Sequence, residues 1–297
     1  MLDQSNDDAA FAALWQHACL HQIKRTKSAL AGECAPERAV QQARSGMKRT
    51  RALLLLANAT LGKRTAKRLD KKLAGLARKL SGTRDPEAML EALDKCLAAP
   101  LPETQTRALS ELRASIEIAQ RKMQDTAITD FTRIPIQTSV DTIRREIKAH
   151  RPQELTAAEA AKSAGLTYGE ARKAMRKALE IDTGDAYHQW RKVAQRHLRH
   201  LEIFLAAGRP DLLSRVEATR EIVQLLGDDH DLSLIQALVA GQPTGPLGRA
   251  VEAEAQAFIV ARQKQIRTSV GSLAGSVFGL RRKELRHMLL TAARNPD

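Results

Sequence analysis

Aromatic residues make up only 3% of this 297-residue chain, with two Trp, two Tyr and five Phe. Sheet proteins draw heavily on aromatic and β-branched side chains, and proteins that grip single-stranded nucleic acid stack bases on rings. So ring-poor a composition argues against both. Cysteine is nearly missing too. Cys19, Cys34 and Cys96 form an odd set without CxxC spacing, which argues against a disulfide framework or zinc site and suits reduced thiols in a cytoplasm. No apolar run approaches the roughly 18 residues of a membrane span. The opening MLDQSNDDAAFAAL is acidic and lacks the apolar core of a signal peptide. The expectation is a soluble cytoplasmic protein with no membrane partner.

Acidic charge is the other shortage. Lys and Arg number 48 against 34 Asp and Glu, a formal net charge of +14. Such an excess repels itself in a compact fold, and its usual use is to hold a polyanion: nucleic acid, an anionic membrane surface or a phosphate polymer. It is also unevenly placed. Residues 20–80 hold sixteen basic and three acidic side chains, whereas residues 100–170 hold ten of each.

Ala and Leu are abundant, and Gly and Pro sit mostly between periodic segments, so the chain is expected to be all-α. Apolar periodicity and breakers predict helices over 7–30, 36–60, 63–80, 86–98, 104–126 and 137–149 in the first half. In the second half they predict 156–180, 184–207, 210–227, 232–240, 246–269 and 276–294. The stretch DFTRIPIQTS at 130–139 reads as a connection between halves, and Gly208-Arg209-Pro210 and GQPTGPLG at 241–248 as breaks.

The chain also repeats itself. VQQARSGMKRTRALLLL (40–56) aligns with YHQWRKVAQRHLRHLEI (187–203), placing Arg44 on Arg191 and Arg49 on Arg196. Downstream, KLSGTRDPEAMLEAL (79–93) aligns with LLGDDHDLSLIQALV (225–239), placing Arg84-Asp85 on His230-Asp231. The reading is two copies of one helical unit, residues 8–130 and 131–297, packed as one domain, with residues 1–7 flexible. A duplicated unit tends to pack as a pseudo-symmetric pair of bundles, bringing both basic helices toward one axis.

At about 100° per residue, His188, Arg191, Gln195, Arg199 and Glu202 form one stripe. Trp190, Ala194, His197, Leu201 and Phe204 form the apolar face that packing requires. In the first copy Gln41, Arg44, Lys48 and Arg51 share a stripe, and Ala43, Met47 and Leu54 suit the core. The first helix adds His17, His21 and Lys24, with Arg25 and Lys27 beside them. Stripe positions rise about 5 Å per step, so guanidinium and ammonium groups can follow an extended phosphate chain, Arg as a planar fork and Lys as a point charge. Near a polyanion the pKa of His188 should rise, so that it gains a proton on binding. His197 and His200 read as packing or surface residues, and KRTAKRLDKK (63–72) as a solvated face.

HQWRK with the following RH and LEIF, then LGDDHDLSLI, resembles the second repeat of the CHAD family, the conserved histidine α-helical domain. ARSGMKRTRALL with LSGTRD resembles its first repeat. The resemblance runs from about residue 8 to 294, and the expectation is a stand-alone member, with no triphosphate-tunnel domain alongside. It implies two helical bundles around a basic central cavity or pore that binds inorganic polyphosphate; from the residues themselves no catalysis, metal or cofactor is expected. His188, Arg191, Lys192 and Arg196 match the second basic motif, and Arg44, Lys48, Arg49 and Arg51 the first. The candidate binding set also takes in His21, Lys24, Arg25, Arg172, Arg176, Arg199, Arg281 and Arg282. Gln41 stands where the first repeat usually has its histidine, Gln195 where a basic residue is frequent, and Leu198-Arg199 where an aromatic pair is common; altered affinity is expected.

Rival chemistry is weaker. GDDHD (227–231) would need further ligands converging from other helices to hold metal as in phosphohydrolases, and Asp85 and Asp231 read instead as helix caps. LGKRT (61–65) lacks the first Gly and the Ser or Thr of a phosphate loop. Nucleic-acid binding is the second reading, since charge alone does not separate DNA from a phosphate polymer; a scaffold for acidic proteins is a third. The polymer's storage granules are a possible location within the cytoplasm.

Overall fold

The computed structural model describes residues 2–33, 36–80, 85–123, 130–150, 155–240 and 248–291. These form eleven α-helices and a short 3-10 turn, and no strand occurs among the described residues. In chain order they are α1 (Leu2–Leu30), α2 (Pro36–Leu56), α3 (Lys63–Lys79), α4 (Asp85–Leu97), α5 (Glu103–Met123) and α6 (Asp130–Ala149). There follow α7 (Ala157–Ile181), α8 (Gly184–Ala206), the 3-10 turn Pro210–Leu212, α9 (Leu213–Ala240), α10 (Arg249–Phe278) and α11 (Arg282–Leu290). Cys34 and Arg84 lie outside the described residues. Among the described residues no helix is long and apolar enough to cross a membrane.

Packing runs in parallel in the two halves of the chain. Helix α1 packs on α2 and α6, and α7 packs on α8 and α11. Helix α4 packs on α5, and α9 on α10, while α2 meets α8 and α4 meets α9 across the halves. The core is aliphatic and Ala-rich around a few large rings, with Trp15, Trp190, Tyr168, Phe204 and Phe278 all almost inaccessible. The apolar faces read from periodicity are the faces that are buried: Ala43, Met47 and Leu54 on α2, and Trp190, Ala194, His197, Leu201 and Phe204 on α8.

Buried polar groups tie the layers together. Trp15 Nε1 donates to the Leu53 carbonyl at 2.8 Å, and Tyr168 Oη to the Leu280 carbonyl at 2.8 Å. Gln16 Nε2 reaches the Ile147 and His150 carbonyls, both at 3.0 Å, at the end of α6. A buried donor left without a partner costs about 1–3 kcal/mol, so each bond selects one docking of its helices. The corner between α7 and α8 is made by Asp182 in the left-handed region (φ 50°) followed by Thr183, whose hydroxyl accepts the Ala186 N–H at 3.4 Å and caps α8.

Four boundaries differ from expectation. DFTRIPIQTS is not a connection: α6 begins at Asp130 and carries Pro135 inside it. Pro135 falls early in that helix, and Ile136, Val140, Ile143 and Ile147 follow at helical spacing, each no more than 1% exposed; their burial outweighs the one backbone bond a proline forfeits. The break expected near 228–231 is also absent, because α9 runs unbroken from Leu213 to Ala240. Asp231 is therefore not a cap, and Asp85 is the first residue of α4 rather than the residue before it. Likewise α10 continues past Gly271 and Gly275 to Phe278, since Val270, Ala274 and Val277 extend its buried stripe. Helix α1 starts at Leu2, so from there the segment set apart as 1–7 belongs to it.

Gly46 shows how closely α1 and α2 approach. A Cβ there would collide with Thr26 Oγ1 and lie 2.9 Å from the Gln22 carbonyl oxygen. Ala normally gains about 1 kcal/mol over Gly inside a helix; here overpacking reverses the sign. Gly46→Ala is expected to lower stability by about 1–3 kcal/mol, read as a lower urea midpoint with unchanged helical circular dichroism.

Candidate functional site

Helices α2 and α8 each carry a stripe of cations on the face opposite their buried side, and the two meet. His200 Nε2 lies 2.8 Å from the Ala52 carbonyl of α2, with no exposed surface on the ring. This bond sets α8 against α2 so that both stripes reach one cavity of about 870 Å³. From α2 it is lined by Gln41, Arg44, Lys48, Arg49 and Arg51, and from α8 by His188, Arg191, Lys192, Gln195, Arg196 and Arg199. Arg25, Arg78, His230 and Asp231 add walls from α1, α3 and α9. Among the described residues the lining holds ten Arg and Lys against Asp70 and Asp231.

Several of these cations are held from behind. Arg51 forms a two-pronged pair with Asp70, Nε to Oδ1 at 2.7 Å and Nη2 to Oδ2 at 3.2 Å. Arg199 bonds Glu202 at 2.5 Å and Arg196 lies 3.8 Å from Glu170. Arg44 donates to the Leu80 carbonyl at 3.4 Å. Arg191 lies across Gly227 of α9, where a Cβ would come within 3.2 Å of its Nη2; glycine lets the guanidinium lie against the helix backbone. Arg49 has its pKa lowered, by burial first and then by Arg199 and Arg25, while Glu202 opposes the shift. Crowding of like charge in a partly dry cavity is a field suited to an anion.

The imidazoles of His188 and His230 stack in the cavity wall, their centroids 3.9 Å apart and their planes 25° from parallel. Burial holds His188 down to about 4, with Lys192, Arg191 and Lys48 adding to the effect. His230 is held down to about 3 by burial and then by His188 and the same cations. Behind them Arg267 of α10 donates from Nε to Asp229 Oδ1 at 2.8 Å and lies 4.6 Å over the Tyr187 ring. Those two residues precede His230 and His188 in sequence, so one guanidinium fixes the backbone beneath both imidazoles. Within GDDHD, then, Asp229 is a buried partner of Arg267, Asp228 pairs with Lys95 at 2.9 Å, and His230 and Asp231 face the cavity.

A second cavity of about 670 Å³ adjoins the first and shares Gln41, Arg49, Arg191, Gln195, Arg199 and Asp231 with it. Its further walls mix Lys95 and Arg220 with Glu91 and Glu202. The cation-rich space thus grades into one of mixed charge.

A family model described as the CHAD domain matches residues 16–240. The chain belongs to the CHAD family. No curated protein matches it. Among solved structures it is similar to the crystal structure of the CHAD domain from the plant Ricinus communis, with a TM-score of 0.57 and 20% sequence identity over 94% of this chain and 92% of that one. At that identity the likeness is one of fold.

Within this CHAD fold the residues expected to bind ligand separate into two groups. Arg25, Arg44, Lys48, Arg49, Arg51, His188, Arg191, Lys192, Arg196 and Arg199 line the first cavity. His21, Lys24, Arg172, Arg176, Arg281 and Arg282 are not among the residues that line either cavity. Arg281 caps α11, its backbone N–H donating to Glu284 at 2.7 Å, and the aliphatic stem of Arg282 lies against Gly165 and Gly169 of α7. They are basic positions of the outer surface. His230 and Arg78 also line the first cavity, although neither is among the residues expected to bind ligand. The signal for His230 was present in the repeat alignment, where it shares a register with Arg84; for Arg78, lying on a lysine-rich exposed helix, there was none.

His197 and His200 are packing residues, as expected. Both are fully buried; His197 lies 5.2 Å from the Tyr168 ring and 6.0 Å from the Phe278 ring. The KRTAKRLDKK face is exposed at Lys63, Arg64, Lys67, Lys71 and Lys72, although Arg68 and Lys72 are drawn to Glu146 of α6.

Proposed function

We propose that this chain binds inorganic polyphosphate, without catalysis, in a basic central cavity formed between two pseudo-symmetric copies of a helical unit. The observation that carries the reading is the convergence of the α2 and α8 cation stripes on one cavity with only two acidic residues in its described lining. Membership of the CHAD family supports the same ligand, and the parallel packing of α1, α2 and α6 with α7, α8 and α11 supports the duplication. The stripes step along their helices at about 5 Å, which suits a repeating chain of phosphates better than a single compact anion. Association with polyphosphate granules in a cytoplasm follows as part of the proposal.

Binding of this kind is electrostatic and multidentate, and neutralised phosphates release counterions as nucleic acids do. Calorimetric titration with long-chain polyphosphate, duplex DNA and single-stranded RNA at one salt concentration tests it. Polyphosphate should bind most tightly, and its affinity should fall linearly with salt on logarithmic axes, with a slope reporting the number of phosphates neutralised. Tighter binding of either nucleic acid would overturn the reading in favour of a nucleic-acid-binding protein. Orthophosphate should not accumulate in the same samples, with or without divalent metal; its release would identify a phosphohydrolase.

A further inference from the structure

We infer that the stacked His188 and His230 rings form a proton-accepting pair, so that a phosphate chain entering the cavity brings a proton with it and binds more tightly as the pH falls. The inference rests on the polyphosphate reading and adds to it a regulation of that site.

The geometry places two titratable rings in contact, 3.9 Å between centroids, on a wall otherwise made of permanent cations. The charges around them come from every side. Lys48 faces them from α2, Asp185, Arg191 and Lys192 from α8, and Asp231 lines the same cavity from α9. Helix α4 presents Glu91 and Lys95 to the adjoining cavity, and Arg267 of α10 is committed to Asp229 and Asp182. Before ligand enters, this field and partial burial keep both imidazoles neutral. Asp185 alone pulls His188 the other way, and it is outweighed.

A phosphate chain reverses the sign of that field. Its negative charge cancels the repulsion from Lys48, Arg191 and Lys192, and its oxygens accept hydrogen bonds from an imidazolium that bulk water had supplied poorly in the partly dry wall. The first proton is favoured; a second on a ring 3.9 Å away is opposed by the first, so the pair titrates as a unit. Uptake of about one proton is therefore expected. The sequence register points the same way: His188 aligns with Gln41 and His230 with Arg84. In sequence, the first half has a neutral amide and a permanent cation at the register where the second has two imidazoles that can take up a proton.

The sign follows from linkage. A group whose pKa is higher in the complex than in the free protein makes binding stronger as the pH falls below the complex's value, by up to tenfold per pH unit for each proton taken up. Titrating the full chain with long-chain sodium polyphosphate at about pH 6.5 and fixed salt, in buffers of different ionisation enthalpy, reads the number of protons directly. Wild type should take up about one. His188→Gln with His230→Asn should take up none, and its affinity deficit should narrow by about tenfold between pH 6 and pH 8. Equal uptake in wild type and double variant overturns the inference and leaves polyphosphate binding standing; absence of binding at any pH overturns the proposed function itself. Should the double variant lose its cooperative melt, the imidazole C–H resonances of wild type, titrated with and without polyphosphate, read the same coupling. Ring titrations that stay in place on binding overturn it.

Discussion

Replacing Arg44 and Arg191 together by Gln is expected to weaken polyphosphate binding by on the order of 10²- to 10⁴-fold. Each guanidinium lines the cavity from one of the two facing helices, and a hydrogen bond to a charged group contributes about 1.5–3 kcal/mol, with 1.4 kcal/mol per tenfold of affinity. The comparison that gives the result meaning is Lys71→Gln with Lys72→Gln. That pair removes the same formal charge from the exposed face of α3, where Lys71 and Lys72 line neither cavity, and should cost no more than about threefold through the long-range field. Calorimetric titration of both double variants at one ionic strength is the measurement. Equal losses would mean that polyphosphate is held by the diffuse charge of the whole surface, and the cavity proposal would fall. Thermal melts separate a binding defect from an unfolded one, which matters because Arg44 also holds the Leu80 carbonyl.

The second large effect is on stability in mild acid. His197 and His200 are fully buried, and burial lowers them to about 3 and about 4. The unfolded chain binds protons at these positions near the ordinary value of about 6.5. Their neutral burial is therefore without penalty above that value. As the pH falls from there toward the folded values, the unfolded state binds protons that the native state refuses, and stability is lost. The expected loss is on the order of 1 kcal/mol per pH unit for each histidine, a large share of the 5–15 kcal/mol available to a typical domain. Urea midpoints should drop steeply between about pH 6.5 and pH 4.5. His197→Leu should remove one histidine's share of that dependence, about a quarter, since His188 and His230 are held down as well and the His197 ring bonds no other side chain. A midpoint that holds steady across this window would mean that both imidazoles charge in place, contrary to their burial.

How far the sequence disclosed this structure depends on how local the cause of each feature is. The faces of α2 and α8 were readable because a helix of Ala, Leu and Met on one side and Arg and Lys on the other admits one orientation in a folded chain. The sequence alignment added what periodicity lacks, the expectation that two such helices come together, and α2 does meet α8. Pro135 misled because a breaker is judged from its neighbours, while four buried aliphatic residues downstream decide the outcome by packing. Asp231 misled for the opposite reason: its cap was read from the alignment with Asp85, but it lies inside one helix in the second half where α3 and α4 are two in the first. Arg267 was invisible, since its partners Asp229 and Asp182 are 38 and 85 residues away in sequence and nothing near it marks a long-range clamp. Arg281 and Arg282, expected among the ligand residues, are exposed positions that line neither described cavity.

The last turns of α2 have a mechanical meaning. Trp15 grips the Leu53 carbonyl and His200 the Ala52 carbonyl, from opposite neighbours and one residue apart. A slide or a roll of α2 would break both grips inside a dry core, so the helix is pegged at one end like a key on a shaft. Cations that repel one another would, if free, spread the two rods apart and blur their alignment; pegged, the helices keep a constant spacing. The registration of the two cation stripes is thus set by two neutral hydrogen bonds in the core and not by the charges themselves.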